Sequence, residues 1–153
     1  MLMRIVESLE ALQDLTGKEV GVTDWIAITQ ERITQFAGST GDLQWIHVDR
    51  ERAARESPYG TTIAHGFLTL SLMSQFVGQT IEIRGFKMAV NYGLNRVRFP
   101  AAVRAESMVR ARVMLQSLKE FPEGVETLWL VTMECQDSEK PCCVAEWITR
   151  YYY

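Results

Sequence analysis

Two short segments of the chain carry residue types that can perform acid/base chemistry beside a developing negative charge. Asp42 and His47 are five positions apart, and residues 63–67 contain His65 followed directly by Gly66. The chain has two histidines, and both lie in these segments. An imidazole with its ordinary pKa of about 6.5 exchanges protons near neutral pH, and a neighbouring carboxylate can orient water. The two segments are therefore candidates for chemistry on a water molecule.

The spacing of Asp42 and His47 decides whether their side chains can meet. On one continuous helix, five residues place two side chains roughly 140° apart, so they point away from each other. Glycines precede Asp42, and Asp49 can cap a following helix, which predicts a loop over residues 40–48. A loop lets the two side chains converge on one water molecule. Residue types alone still favour a structural interpretation, in which Asp42 ends a turn and His47 is a satisfied structural histidine.

Gly66 lies where a strongly apolar segment, residues 64–78, is predicted to begin a buried helix. The first turn of a helix carries unpaired N–H groups, so a carbonyl oxygen that approaches the glycine and becomes an enolate would find an oxyanion hole. Alternatively, Gly66 only allows the helix to pack closely on a sheet. His65 is a second candidate base, but a bond to nearby backbone that fixes the loop is the favoured interpretation. For Ser71 and Ser74, a bond back to their own helix is favoured over a ligand contact.

The elements that must position these residues can be read from apolar periodicity. The second half of the chain alternates apolar and polar residues, which predicts an antiparallel meander with one covered face. The apolar helix is buried most simply if this sheet curls around it, which is an α+β arrangement. Residues 91–95 are expected to form a turn into a strand that ends at Phe99-Pro100. The other expected elements are helices over residues 4–15, from Thr29 to a break at Gly38 and Gly41, and over 50–55, a strand over 25–28, and strands over 108–118, 127–135 and 143–151.

Composition limits the function classes that need to be considered. The chain has 153 residues, a net charge of −3 and 47% hydrophobic residues, which suits one soluble domain over residues 1–153. No basic stripe indicates nucleic acid, and arginines such as Arg110 and Arg112 are interpreted as solvated strand faces, although a coenzyme phosphate contact is compatible. The three cysteines match neither a disulfide framework nor a zinc site. With no segment of transmembrane length, a cytoplasmic protein that does not enter the membrane is expected.

These residues resemble the MaoC-like dehydratase family, also called the R-specific enoyl-CoA hydratase or hydratase 2 family. The resemblance extends over most of the chain and is most specific in residues 36–74. Residues 44–49 and 63–70 are similar to the NodN-like branch in particular. The matching positions are Phe36, Ala37, Gly41, Asp42, His47, Asp49, Ala53, Ile63, Ala64, His65, Gly66, Leu68 and residues 97–100.

The resemblance implies a hotdog fold, in which a curved antiparallel sheet wraps a long central helix, usually paired as a homodimer. It implies reversible addition of water to trans-2-enoyl-CoA to give (R)-3-hydroxyacyl-CoA, a hydro-lyase reaction of fatty acid metabolism without metal or redox cofactor. Position by position, Asp42 and His47 correspond to the acid/base pair. Gly66 corresponds to the glycine whose N–H meets the thioester oxygen, and Ser74 to a serine that supports the active site. His65 is the further supporting candidate.

One position departs from the family pattern. Between the aspartate and the histidine the family usually has Asn-Pro, whereas this chain has Gln44 and Trp45. The longer Gln44, also a supporting candidate, and the bulky Trp45 are predicted to reshape the loop beside the water and the acyl group. Two alternative functions stay open: an acyl-CoA thioesterase, because fold does not fix function, and a non-catalytic acyl-thioester-binding subunit, suggested by the departure itself. Retention of Asp42 and His47 disfavours the second.

Overall fold

The computed structural model describes residues 3–153 of the chain and contains eight strands and six helices within them. The strands are β1 (Arg4–Val6), β2 (Lys18–Val22), β3 (Ile26–Ile28), β4 (Ile81–Ile83), β5 (Met88–Arg98), β6 (Ser107–Phe121), β7 (Gly124–Cys135) and β8 (Cys143–Tyr152). The helices are α1 (Leu9–Gln13), α2 (Gln30–Thr40), α3 (Trp45–Val48), α4 (Arg50–Glu56), α5 (Gly66–Ser71) and α6 (Met73–Thr80).

The main sheet is antiparallel and has the strand order β2-β6-β7-β8-β5, with β3 also paired to β6. Buried and partly buried residues alternate along β6, β7 and β8, because successive side chains of a strand point to opposite faces. The predicted meander is therefore confirmed. On the outer face, Arg110 and Arg112 each donate to Glu134 at 2.6 Å, as expected for a solvated strand face.

The central helix is built from α5 and α6, which meet at Leu72 and pack on the inner face of the sheet against β8 and β6. Phe76 is fully buried there, but Phe67 is 72% exposed, so the helix is covered on one side rather than all round as predicted. The sheet curves over the helix without closing into a barrel. None of the helices in residues 3–153 is long and apolar enough to cross a membrane.

Buried side chains from both halves of the chain form one hydrophobic core between helix and sheet. The prediction that residues 1–153 form one domain stays a prediction. The largest fully buried core residues include Trp129, Phe76, Leu12, Ile28, Ile33 and Leu115.

Four local predictions were wrong. Residues 4–15 divide into β1, which pairs in parallel with β4, and the short α1, because β1 finds a strand partner far along the chain. Gly38 does not break α2 but lies inside it, since a single glycine weakens a helix without ending it. Residues 40–48 are not all loop, because α3 occupies their second half. Residues 91–95 do not form a turn but belong to β5, where two register shifts absorb the irregularity.

Candidate functional site

Asp42 is placed by the end of α2. The Thr29 side chain caps the start of this helix, as predicted, by accepting from the Arg32 N–H at 3.2 Å. Gly41 ends the helix in the left-handed conformation with φ of 76°, which a glycine adopts without strain. Asp42 follows directly and is exposed, and its carboxylate accepts a long 3.4 Å bond from the Gln44 N–H. The carboxylate is therefore held loosely and keeps most of its acceptor capacity.

His47 is placed by α3 and is 6% exposed. Its Nδ1 lies 2.7 Å from the Ile63 carbonyl oxygen, so this nitrogen carries the hydrogen and donates it. The Nε2 atom of the neutral ring is consequently a free acceptor. A second bond, from the Ile63 N–H to the Ile46 carbonyl at 3.0 Å, ties the same two segments together. The backbone at Ile63 thus fixes both the position and the tautomer of His47.

His65 precedes α5 and is 3% exposed. Its ring stacks on that of His47, with centroids 3.8 Å apart and planes inclined by 23°. Its Nε2 lies 3.0 Å from the Asp42 carbonyl oxygen, which supports the predicted bond to nearby backbone. The structure therefore brings Asp42, His47 and His65 together, with one donor atom of each residue within 4.8 Å of the others.

The pKa of His47 is lowered from its ordinary value of 6.5, first because burial disfavours the charged ring. The hydrogen bond to the Ile63 carbonyl acts in the opposite direction, since it stabilises the ring as a donor. A charge on His65 lowers the pKa of His47, and the carboxylate of Asp42 raises it. With these causes together, His47 is a neutral base near pH 7.

Gly66 is the first residue of α5, and its N–H donates to no acceptor within residues 3–153. A Cβ at this position would lie 3.2 to 3.3 Å from three ring atoms of Phe99, which directly follows β5. Gly66 therefore makes a close contact, but with this ring rather than through helix packing on the sheet. It also lines a cleft of about 310 Å³, together with Tyr59, Ile63, Thr69, Phe99 and Val103.

The side chains of Ser74 and Gln44, two of the supporting candidates, are not part of the cluster of Asp42, His47 and His65. Ser74 is exposed on α6 and lines a different cleft, of about 370 Å³, together with Asn91 and Trp147. Ser71 bonds back to its own helix, at 2.8 Å from the Leu68 carbonyl. Gln44 precedes α3, and its side chain is exposed. The geometry thus joins Gln44 to the site only through its backbone.

Gln30 and Thr62, which sequence reasoning missed, hold α3 in place through hydrogen bonds. The Gln30 side chain donates to the His47 carbonyl at 2.8 Å, and the Thr62 hydroxyl donates to the Gln30 side-chain carbonyl. Thr62 is completely buried and Gln30 is partly buried, so this short chain of bonds is partly shielded from water. Neither residue belongs to a recognisable motif, and the contacts span 17 and 32 positions. No local sequence signal could have identified them.

Asp42, His47 and His65 are also the one group of three potential metal ligands within residues 3–153. A metal ion lies near the plane of each imidazole that binds it, at about 2.0–2.1 Å from the nitrogen. The two stacked rings direct their lone pairs along nearly parallel planes, with centroids 3.8 Å apart. A shared ion would require one ring to leave the stack. The expectation that the site holds no metal stays a prediction.

The model of the family described as MaoC like domain matches residues 11–131. The 3-hydroxyacyl-thioester dehydratase Z of Mycobacterium tuberculosis is 50% identical, over 97% of this chain and 99% of that protein. Nodulation protein N of Rhizobium leguminosarum bv. viciae is 45% identical, over 93% of this chain and 89% of that protein.

A solved structure described as the monoamine oxidase regulatory protein of Archaeoglobus fulgidus is similar in fold. Its TM-score is 0.78 at 21% identity, over 99% of this chain and 98% of that chain. The comparisons confirm the predicted hotdog fold, the NodN-like branch and the class of enzyme, a hydro-lyase. The chain belongs to the MaoC-like dehydratase family.

Proposed function

We propose that the protein is an (R)-specific enoyl-CoA hydratase, which adds water reversibly to trans-2-enoyl-CoA to give (R)-3-hydroxyacyl-CoA. The observation that carries the proposal is the state of His47. Its Nδ1–H is committed to the Ile63 carbonyl, so a buried neutral imidazole presents Nε2 as a free base in the cluster that contains Asp42. Gly66, with its unused N–H, begins a helix three residues after Ile63.

In the proposed hydration, water is held between the Asp42 carboxylate and Nε2 of His47. Nε2 takes one proton as the water oxygen forms its bond to the β-carbon of the enoyl thioester. The Asp42 carboxylate orients the water and stabilises the imidazolium that results. The imidazolium then returns the proton to the α-carbon, so the net change is the addition of one water across the double bond.

The electron pair of the double bond moves toward the thioester oxygen when water attacks. Charge therefore develops on that oxygen, and a donor placed for this enolate lowers the barrier more than it stabilises the substrate. The N–H of Gly66 is assigned this role, because it has no acceptor within the described chain and Gly66 lines the cleft of about 310 Å³. Both proton transfers are assigned to side chains, so the scheme requires no metal or redox cofactor.

The relatives support the class of substrate. The Mycobacterium tuberculosis relative is named for the dehydration of a 3-hydroxyacyl thioester, which is the same reaction in the reverse direction. Coenzyme A as the carrier and R stereochemistry are the finer parts of the proposal. We also keep the expectation of a cytoplasmic protein, supported by three buried cysteines that are free thiols.

We further infer that the protein is a homodimer assembled through β5. This strand ends the sheet, and within residues 3–153 it pairs only with β8, so one edge of its backbone is open to another strand. Its exposed large apolar residues are Met88, Val90, Tyr92 and Leu94, each at least 40% exposed. Replacing Val90 and Leu94 together by lysine should give a monomer in light scattering, and a variant that stays dimeric would place the interface elsewhere.

The test of the reaction uses variants that keep local hydrogen bonds. In His47→Asn the amide can still donate to the Ile63 carbonyl, but the Nε2 base is gone. In Asp42→Asn the shape is kept and the charge is lost. Each variant should hydrate crotonyl-CoA roughly 10²- to 10⁴-fold more slowly, measured by loss of enoyl absorbance, because one acid/base group has been removed. Asp14→Asn, an exposed carboxylate at the end of α1, is the matched control.

Three results would contradict the proposal. Near-wild-type turnover in both Asp42→Asn and His47→Asn would show that the pair is not the acid/base machinery. Release of free thiol from a saturated acyl-CoA, without loss of enoyl absorbance on the unsaturated substrate, would identify a thioesterase. Binding of acyl-CoA without hydration at high protein concentration would identify a non-catalytic subunit. Product chirality, determined with a stereospecific 3-hydroxyacyl-CoA dehydrogenase, tests the R assignment separately.

A further inference from the structure

We propose that His65 is a positioning residue that holds both members of the acid/base pair, through a hydrogen bond to the Asp42 backbone and through stacking on the His47 ring. The inference rests on the proposed function of that pair. His65 itself does not exchange protons with substrate in this proposal. It sets where the carboxylate and the base stand relative to each other.

The first contact of His65 controls Asp42. Asp42 follows a helix end and is otherwise held by long bonds, at 3.4 Å from its N–H to the Thr40 hydroxyl and 3.4 Å from the Gln44 N–H to its carboxylate. The bond from Nε2–H of His65 to the Asp42 carbonyl is 3.0 Å, the shortest that Asp42 makes within residues 3–153. This bond therefore anchors an exposed residue to the interior of the protein.

The second contact of His65 controls His47. The two rings are stacked with centroids 3.8 Å apart, and the other neighbour of the His65 ring is Phe36 of α2, at 5.0 Å. Because both rings are almost completely buried, neither can turn without disturbing the other. A ring that is fixed by its hydrogen bond to Asp42 consequently fixes the plane in which His47 presents Nε2.

The two histidines hold complementary tautomers. His47 carries its hydrogen on Nδ1, facing Ile63, and His65 carries its hydrogen on Nε2, facing Asp42. The Nδ1 atom of His65 is buried without a hydrogen-bond partner in the described chain, so this nitrogen contributes nothing to anchoring the ring. The titratable groups around the stack are Asp42, from the loop after α2, and the two rings, while α2 contributes the apolar Phe36.

Two substitutions separate the two contacts. In His65→Gln the amide nitrogen lies close to the position of Nε2, so the bond to the Asp42 carbonyl can persist while the ring is lost. In His65→Phe the ring can persist while the bond is lost. We expect His65→Phe to lower kcat by about 10- to 100-fold with KM little changed, because small displacements of a catalytic group have costs of this size. His65→Gln should retain more turnover than His65→Phe.

A readout independent of turnover is available because the chain has two histidines. Long-range ¹H–¹⁵N spectra of the imidazoles should show one Nδ1–H and one Nε2–H tautomer, and only the Nδ1–H signal should remain in His65→Phe. The titration midpoint of His47 should rise in that variant, because phenylalanine cannot take up the positive charge by which a protonated His65 lowers the pKa of His47. Thermal unfolding of each variant monitors the folded state.

The outcomes distinguish the inference from the proposed function. Wild-type kcat and an unchanged His47 midpoint in His65→Phe would overturn it, as would the same tautomer on both rings. Equal losses of turnover in both variants, in proportion to lost stability, would also overturn it, since His65 would then be a packing residue only. If wild-type protein fails to hydrate crotonyl-CoA while the tautomers and the midpoint shift are as expected, the proposed function fails and the contacts of His65 stand.

Discussion

Replacing the N–H of Gly66 by a ring carbon tests the assignment of the oxyanion donor. Proline is the natural replacement, because it is favoured at the first position of a helix and its missing N–H costs no bond inside the helix. The preceding residue, His65, has φ of −59° and ψ of 138°, which is the extended conformation that a following proline requires. The backbone conformation before position 66 therefore suits Gly66→Pro.

Two contributions determine how much Gly66→Pro changes the free energy of unfolding. A Cβ at position 66 would lie 3.2 Å from the nearest ring atom of Phe99, a side chain that is 41% exposed and can move by a few tenths of an ångström. Reduced freedom of the unfolded chain contributes about 0.4–1 kcal/mol in the opposite direction. The free energy of unfolding should therefore change by less than about 1 kcal/mol. Loss of one oxyanion donor, by contrast, lowers kcat by about 10²- to 10³-fold, or roughly 2.7–4 kcal/mol.

Gly66→Ala is the matched control, because it adds the same Cβ against Phe99 but keeps the N–H. Turnover of crotonyl-CoA should fall by less than about tenfold in the alanine variant, since a steric cost below 1.4 kcal/mol allows no more. The proline variant should be at least tenfold slower than the alanine variant, while urea unfolding gives similar stabilities for both. Equal turnover in the two variants would refute the assignment of the Gly66 N–H to the enolate.

Further predictions concern the base, its support and the core. Burial lowers the pKa of His47 below 6.5, so the plateau of kcat/KM should extend to below this pH. Between the lowered pKa and 6.5 the unfolded chain binds more protons than the folded protein, so the free energy of unfolding should decrease as the pH is lowered. Urea titrations should show this decrease, and a smaller one in His47→Asn. Thr62→Val leaves the Gln30 carbonyl unpaired and should cost about 1–3 kcal/mol in urea unfolding, whereas Thr62→Ser, which keeps the hydroxyl, should not. Phe76→Ala should cost about 3–5 kcal/mol, whereas Phe67→Ala, at a position 72% exposed, should stay within about 0.5 kcal/mol; similar losses in both would contradict the packing described for the helix.

Local sequence patterns predicted the elements whose stability comes from a repeated face. The alternation in β6, β7 and β8 marks the buried face of the sheet, and the side chain of Thr29 marks the start of α2. The same reasoning failed for residues 4–15, where Ile5, Leu9 and Leu12 have helical spacing. Only Leu12 of these is buried, and Ile5 is 48% exposed on a strand that pairs with β4. A strand partner some 77 positions away leaves no local signal.

In the candidate site, too, the residues could be predicted from the sequence, whereas the long-range contacts that fix them could not. Residue types and spacing identified Asp42, His47 and Gly66 as candidates. For Asp42 and His47 they favoured a structural role, and only the family resemblance favoured a catalytic one. The bonds that fix the two histidine rings come from distant backbone: the Ile63 carbonyl is 16 positions from His47, and the Asp42 carbonyl is 23 positions from His65. Such contacts depend on how α3 and the segment before α5 pack together, which single-sequence periodicity does not describe.

The departure from the family pattern at Gln44 and Trp45 can now be located within the loop. The bonds that shape this loop use backbone atoms: the His47 N–H donates to the Gln44 carbonyl at 3.0 Å, and the Asp49 N–H donates to the Trp45 carbonyl at 3.0 Å. The Trp45 ring contacts α4, where the Arg52 guanidinium lies 4.3 Å from the ring centroid. Since any side chain allows such carbonyl bonds, and the tautomer of His47 depends on Ile63, Gln44 and Trp45 leave the arrangement of Asp42 and His47 intact. We therefore predict that any effect of Gln44 and Trp45 on substrate choice acts through the exposed side chain of Gln44 or through the surface formed by Trp45 and α4.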